Sequence, residues 1–423
     1  MKGDRGIKMN TYVNSLIEFV KSNKDWKEIL KKPPYNLKAI KECSWHKNWY
    51  MFVYNLFDSD LTNSVVRACR GTVLEINGAE VVPISVPYTK FFNFHDSNAI
   101  GVEDKINWKN ALITKKIDGI LLKTAKVGDK LYFFTNGSFD LNATFEDSLV
   151  FDEIATRGMT MYGELLEYAL KKESSVSVHF DKETGEFYIT GDWADNIPEG
   201  WTLMFELTSP RNKIICEYKE TKLWWHGIRS SYKKGLVEYD PRKSLITTPY
   251  EIPELYNTSS MEELNKLLSS FNGKFDEGVV VVDYSTEMTP RTKIKCDSYL
   301  KLKFSRDCSC NLEVIFKSVV ADEYDDILAA VPDLKPTIDK MKEQISILYS
   351  WREKVLNEIQ EMSMLSKKEF VFKIKESKPK ELQPLYFKAY SKPNFVENYL
   401  KSISSRKHAY TEFKNILEIV NAD

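Results

Sequence analysis

The residues able to do chemistry fall in short clusters, the densest being Thr114-Lys115-Lys116-Ile117-Asp118-Gly119-Ile120-Leu121-Leu122. Lys116 stands two residues before an Asp-Gly pair, between apolar runs at 111–113 and 120–122. The pattern predicts strand, tight turn, strand. An amine held there beside a carboxylate can act as a nucleophile when nearby positive charge or desolvation lowers its pKa. The same residues also occur in ordinary surface hairpins, where Asp-Gly supplies only turn geometry.

Five further clusters carry charge. They are Cys69-Arg70-Gly71, Pro87-Tyr88-Thr89-Lys90-Phe91-Phe92-Asn93, Phe205-Glu206-Leu207-Thr208-Ser209-Pro210-Arg211-Asn212-Lys213, Asp276-Glu277-Gly278-Val279-Val280, and Lys293-Ile294-Lys295-Cys296-Asp297-Ser298-Tyr299. Singly, each has a plain structural explanation. Arg70 and Lys90 could be solvated strand ends, Glu206 and Glu277 turn carboxylates, and Lys293 and Lys295 the exposed face of an alternating strand. Together they supply a nucleophilic amine, four cations and two carboxylates. Phosphoryl transfer needs chiefly positioning and charge stabilisation, and a ring of Arg70, Lys90, Lys293 and Lys295 suits it.

In this order the six clusters resemble the signature of covalent nucleotidyltransferases, the superfamily of DNA ligases, RNA ligases and mRNA capping enzymes. The Cys-Arg-Gly and Lys-Phe-Phe-Asn elements, Ser-Pro-Arg-Asn after Phe-Glu, and Lys-Ile-Lys followed by Tyr resemble one branch. That branch is the ATP-dependent RNA ligases of tailed bacteriophages, of tRNA-repair type, often called RNA ligase family one. The likeness covers residues 54 to about 303 and continues more faintly into the C-terminal tail. It implies that Lys116 attacks the α-phosphate of ATP, expels pyrophosphate and holds AMP as a phosphoramidate. AMP then passes to an RNA 5′-phosphate, and a 3′-hydroxyl displaces it. Lys115, Lys293, Lys295 and a bound Mg²⁺, for which Mn²⁺ could substitute, would destabilise the ammonium form of Lys116. Glu206 and Glu277 would contact the adenylate ribose and the metal. Arg70, Lys90, Asp118, Gly119 and Gly278 belong to the nucleotide site by the same resemblance, with Tyr54 and Phe92 packing near the nucleotide. Tyr299 resembles a position facing the RNA end. The implied substrates are single-stranded RNA ends or a cleaved tRNA, with a kinase or phosphatase as the partner that heals the ends.

Two positions depart from the family pattern. Ile120 stands where a serine usually follows Lys-x-Asp-Gly, and Asn136 where a basic residue usually precedes Gly137-Ser138. They motivate an alternative, an RNA-end-binding protein with degenerate catalysis. A DNA ligase or capping guanylyltransferase is the other alternative, opposed by the Lys-Phe-Phe-Asn element and by the lack of extra short strands after Lys295. Tyr162-Gly163-Glu164 makes Glu164 a rival of Glu206, which we prefer for its Phe-Glu and Ser-Pro-Arg-Asn surroundings. No Gly-x-Gly-x-x-Gly or Walker loop is present.

The elements around these clusters read as hairpins. Strands are expected at 50–54, 72–76, 81–86, 111–113, 120–123, 130–135, 201–208, 213–218, 223–228, 278–284 and 292–296, with Asn77-Gly78 as a hairpin turn. A short amphipathic helix is expected from Tyr12, after a polar start to about Met9. Beyond Cys310 apolar residues recur at helical spacing, predicting helices at 335–362, 366–376, 394–404 and 409–420, with Arg352 interrupting the first seam. The expected fold is α+β, with an antiparallel-sheet nucleotidyltransferase domain over 1–309 and an all-helical domain over 310–423.

Composition excludes some classes. The 423 residues are 43% hydrophobic and 29% charged with a net charge of −1, which fits a globular protein without a global basic field. No apolar run reaches membrane-spanning length and the segment Met1-Lys2-Gly3-Asp4-Arg5 lacks the apolar core of a signal peptide, so a cytoplasmic protein is expected. Six scattered cysteines, with only Cys308 and Cys310 close together, suggest reduced thiols and no structural zinc. Between 366 and 407, eleven Lys or Arg face four Glu, interleaved with aromatics such as Phe370, Phe372, Tyr386 and Tyr390. That mixture could grip RNA, or it could be the core and solvated face of a helical domain.

Overall fold

The computed structural model describes residues 11–55, 59–94, 105–145, 153–231, 237–258, 260–285, 289–308, 312–324, 327–328, 334–406 and 408–422, with the backbone alone at 11 and 304–308. The polar start, the expected domain boundary at 309/310, His95, Cys310 and Lys407 lie outside the described residues, as does the Cys308 side chain. The chain divides into two compact units, Met1–Tyr299 and Leu300–Asp423. The fold is α+β, with antiparallel sheets followed by a helical C-terminal region. Among the described residues, no helix is long and apolar enough to cross a membrane.

In chain order the strands are β1 (Ala39–Glu42), β2 (Trp49–Val53), β3 (Arg70–Asn77), β4 (Glu80–Ser85), β5 (Leu112–Lys116), β6 (Ile120–Val127), β7 (Lys130–Thr135), β8 (Ser177–Phe180), β9 (Phe187–Thr190), β10 (Trp201–Thr208), β11 (Lys222–Ser230), β12 (Val237–Tyr239), β13 (Leu255–Tyr256), β14 (Gly278–Val282) and β15 (Arg291–Lys295). They form three sheets, ordered β1-β2-β3-β4, β12-β11-β10-β6-β7-β9-β8 and β13-β5-β14-β15.

Alternation along the strands builds the layers. On β7, Leu131 and Phe133 point into one core with Leu122 and Phe205, while Tyr132 and Phe134 point into another with Trp49, Met51 and Val73 of the first sheet. Helix α1 (Thr11–Ser22) covers that sheet's other face through Val13, Leu16 and Val20. Helix α2 (Tyr162–Glu173) covers the large sheet through Leu165, Leu166 and Leu170, and α3 (Met261–Ser270) covers the third sheet through Leu264. Asn77-Gly78 makes the expected turn between β3 and β4, with Gly78 at φ 62°.

Two strand expectations fail. Residues 213–218 form no strand; the run Lys213-Ile214-Ile215-Cys216 instead turns its backbone N–H groups toward a buried carboxylate. The strands on either side of Lys116 do not pair with each other either. β5 belongs to the third sheet and β6 to the large one, so Ile117-Asp118-Gly119 is a crossing between sheets rather than a hairpin turn.

The C-terminal unit holds α4 (Leu312–Val320), α5 (Lys335–Glu361), α6 (Lys367–Ser377), α7 (Gln383–Ala389), α8 (Phe395–Ser404) and α9 (Ala409–Ala422). Ile338, Met341, Leu348, Trp351 and Val355 form the buried stripe of α5. Arg352 escapes the seam by pairing with Glu397 and Glu353. Of the interleaved aromatics, Phe370, Tyr386 and Phe395 are core, while Phe372 and Tyr390 stay exposed.

Candidate active site

The crossing at 117–119 places Lys116 at the end of one sheet and lets its neighbours pack on another. In the third sheet Lys116, Gly278 and Lys295 stand opposite one another across three strands, and Thr114, Val280 and Lys293 do the same one step along. Side chains two apart share a face, so Lys116, Lys293 and Lys295 project together. Gly278, at φ 148°, lets the β15 backbone approach closely between Lys116 and Lys295, since a Cβ there would overlap the Ile294 carbonyl. Gly119 is dictated by close approach as well: a Cβ would lie 2.5 Å from the Leu207 carbonyl oxygen and 2.9 Å from Glu206 Cγ.

Thr114, Lys116, Val280 and Lys293 line a cavity of about 190 Å³ together with Arg70, Tyr88, Lys90, Phe91 and Glu206. Arg70 donates to the Tyr88 carbonyl at 3.2 Å and lies over the Phe91 ring at 5.5 Å. Glu206 Oε1 accepts from the Gly119 N–H at 3.2 Å. Glu277 is 3% exposed and lies between two cations, with Lys116 Nζ on one oxygen and Lys295 Nζ 3.5 Å from the other.

The electrostatics differ from the sequence expectation in one respect. Burial pushes the Lys116 ammonium down, but Glu277, Glu206 and Asp118 outweigh it and hold its pKa above the ordinary value. Lys115, expected to press on Lys116, instead pairs with Asp276 at 2.6 Å. Lys293 carries the depression: burial first, then Lys295, Lys116 and Lys90, push it down to about 7.

The sequence profile of the RNA ligase family matches residues 68–308, more than half of the chain and the whole of this cavity. The chain belongs to the RNA ligase family. One relative, from Autographa californica nuclear polyhedrosis virus, bears the name of a bifunctional polynucleotide kinase/RNA ligase and is 28% identical over 294 residues. That match takes in 67% of this chain and 38% of the viral protein, so the chain spans well under half of that relative's length. The RNA ligase of Rhodothermus phage RM378 is 23% identical over 345 residues, 71% of this chain and 74% of that one. Among solved structures, a protein titled as an ATP-dependent DNA ligase from Aquifex aeolicus matches at TM-score 0.43 and 15% identity, covering 90% and 88% of the two chains. An archaeal ATP-dependent RNA ligase matches at 0.38 and 12%, covering 82% and 76%.

In this RNA ligase family member the cavity gathers Lys116, Arg70, Lys90, Glu206 and Lys293 directly, and Glu277, Gly278 and Lys295 through the third sheet. Tyr54 does not line the cavity but acts electrostatically on the Arg70 guanidinium. Three positions lie elsewhere than the resemblance implies. Phe92 is buried beneath the wall, its carbonyl accepting from Lys293 N–H and Thr292 Oγ1, and Phe91 takes the cavity face. Asp118 faces away from the cavity: Oδ2 accepts from Ile215 and Cys216 N–H at 2.8 and 2.9 Å, and Oδ1 from the Tyr299 hydroxyl at 3.1 Å. Tyr299 is therefore buried, 3% exposed, and braces the crossing from beneath.

Glu164 is also placed. It accepts from Thr160 and Met161 N–H at the start of α2 and pairs with Lys182 at 2.5 Å, away from the cavity. Sequence reasoning missed three members of the cavity wall, Tyr88, His226 and Arg291, and Lys123, which acts electrostatically on Arg70. Lys123 is fully buried and donates to the carbonyls of Gly71 and Thr135, an arrangement no linear motif announces.

Proposed function

We propose that this chain is an ATP-dependent RNA ligase that joins RNA 5′-phosphate and 3′-hydroxyl ends through a lysyl-AMP at Lys116. The observation that carries this reading is the cross-strand row Lys116, Gly278, Lys295, with Glu277 held between the two lysines at the wall of a cation-lined cavity. Bound triphosphate would compete with Glu277 for Lys295 and Lys293. The Lys116 ammonium would pass its proton through Glu277 to water, and the neutral amine would attack the α-phosphorus, breaking its bond to pyrophosphate and forming a P–N bond. Arg70, Lys90, Lys293 and Lys295 would stabilise the charge on the transferred group.

A Mg²⁺ ion of the kind that keeps phosphate and water ligands would draw on Glu206 and on Glu277, whose oxygens Lys116 and Lys295 occupy until a nucleotide binds. Glu206 and Glu277 come from different sheets, and both act electrostatically on Lys116. When bound, the ion would supply neutralisation of the triphosphate. Incubation with labelled ATP or GTP, followed by a 5′-phosphorylated RNA oligonucleotide or nicked DNA, tests the reading. Label from ATP and RNA joining support it. Label only from GTP means capping, nicked-DNA sealing alone means a DNA ligase, and no label means a binding protein.

Two expectations follow from the site. Glu206→Ala should lower self-adenylation by roughly 10²-fold, whereas Glu164→Ala should keep it and lose about 1 kcal/mol of stability with the helix cap. A dead Glu164 variant beside a live Glu206 variant contradicts the assignment. The second concerns pH. An anion beside Lys293 raises its pKa above the unliganded value of about 7, so ATP binding takes up a proton and weakens as pH rises past 7. Calorimetry in buffers of different ionisation enthalpy reads that uptake, and Lys293→Met should remove it.

Substrate and partner are proposals of the same kind. Single-stranded ends or a cleaved tRNA fit the family resemblance, and a kinase or phosphatase that heals RNA ends fits as the partner. In the viral relative the name joins the two activities in one protein.

A further inference from the structure

The pairing of β10 with β11 breaks once. Met204 stands opposite Gly227 and Phe205 opposite Trp225, so His226 is an extra residue on β11. Leu223, Trp225 and Ile228 all point into the core, and that spacing is compatible with strand alternation only if one residue is extruded between the last two. The extruded side chain lines the cavity beside Glu206. A bulge in the interior of a seven-stranded sheet forfeits ladder bonds, and here it delivers one imidazole to the site.

The surroundings hold it there. The Tyr88 hydroxyl donates to the His226 carbonyl at 2.8 Å, and the two rings stack at 5.6 Å. Gly227 permits this latch, because a Cβ on it would overlap the Tyr88 hydroxyl. Tyr88 is fixed in turn by Arg291, 4.0 Å above its ring. The delivered Nε2 is buried, makes no hydrogen bond, and stands 3.4 Å from Glu206 Oε2. The other oxygen of Glu206 is tied to the Gly119 N–H at 3.2 Å.

We propose that His226 is a positioning residue for nucleotide binding: the β11 bulge sets its unpartnered Nε2 3.4 Å from Glu206 Oε2, where it becomes a donor to the carboxylate, already tied to the Gly119 amide, when nucleotide fills the cavity. This rests on the cavity being the ATP site. Nδ1 lies 3.4 Å from the Tyr88 hydroxyl, and the role needs a proton on Nε2, which a glutamine amide can supply and a leucine cannot.

The test is ATP affinity by titration calorimetry with EDTA present, on wild type, His226→Gln, His226→Leu, Glu206→Gln and the double variant His226→Leu/Glu206→Gln. Loss of a hydrogen bond to a charged group should weaken ATP binding roughly tenfold in His226→Leu, and His226→Gln should stay within about threefold of wild type. Because His226 acts through Glu206, the double variant should bind no more than about twofold weaker than Glu206→Gln alone. Should His226→Leu fail to fold, His226→Asn, whose amide is too short to reach, takes its place.

Wild-type affinity in the folded leucine or asparagine variant overturns the proposal, as does a glutamine variant as weak as leucine or a full additional loss in the double variant. If wild type binds ATP but forms no lysyl-AMP, the ligase reading fails while this proposal is still decided by the affinities. If wild type binds no ATP, both fail.

Discussion

Lys116→Arg is expected to lose covalent adenylation by roughly 10⁴-fold or more while remaining folded, because arginine keeps the ion pair with Glu277 but offers no titratable amine. Lys116 stands on β5, opposite Gly278, with its charge held by Glu277, and the surrounding sheet does not depend on its length. Transfer of label from ATP to protein, measured beside a thermal unfolding curve, separates chemistry from stability. A labelled Lys116→Arg protein would place the nucleophile elsewhere.

The second large effect is on stability. Glu238 is buried between Arg229 and Arg291, with oxygens 2.8 Å and 2.5 Å from their guanidinium nitrogens. Burial alone would raise its pKa, but the two arginines outweigh it and hold the carboxyl below its ordinary range. Glu238→Gln leaves two buried cations without their shared anion, and the expected cost is about 3–5 kcal/mol. The pH dependence follows from the sign. A depressed folded pKa contributes stability that is present above the unfolded value and lost as pH falls through the folded one. The wild type should therefore lose part of its stability under acid, and Glu238→Gln should lose less of what it retains. Chemical denaturation at neutral and acidic pH reads both; a neutral-pH cost below about 1 kcal/mol would contradict this account of the pair. Arg291 also reaches the cavity through Tyr88, so nucleotide affinity should fall in the same variant.

How far the chain could be read in advance depends on what each feature rests on. β7 and β10 and the long helix α5 were legible because alternation or helical spacing is written locally, as in Leu131-Tyr132-Phe133-Phe134. The nature of the 117–119 segment was not, because Asp-Gly between apolar runs predicts a hairpin, and only tertiary pairing decides that β5 and β6 enter different sheets. Asp118 illustrates the same limit. Its place in a motif beside the lysine suggested a nucleotide contact, yet its carboxylate is consumed by Ile215, Cys216 and Tyr299, residues about 100 and 180 positions away. His226 had no linear signal at all; only its register against Met204 and Phe205 reveals it. The charge state of Lys116 shows the same limit: the resemblance assigned Glu277 to the ribose and the metal, and only the fold reveals its ion pair with Lys116, which holds the unliganded ammonium's pKa up.

These placements give the ligase reading its physical content. In that reading the nucleophile, Lys116, would be stored as an ion pair with Glu277, and the site would become competent when a polyanion competes for the neighbouring lysines. Ile120 begins β6 at the end of the crossing, opposite Leu207, so its departure from the family serine removes a hydroxyl without disturbing the strand that carries Lys116.

The central claim is tested most directly by peptide mass analysis of the wild-type protein after incubation with ATP, a divalent cation and pyrophosphatase. The account expects the mass of one AMP on the peptide that contains Lys116, removable by acid and reversed by pyrophosphate. An unmodified Lys116 peptide, or AMP on Lys293 or Lys295 instead, would contradict it.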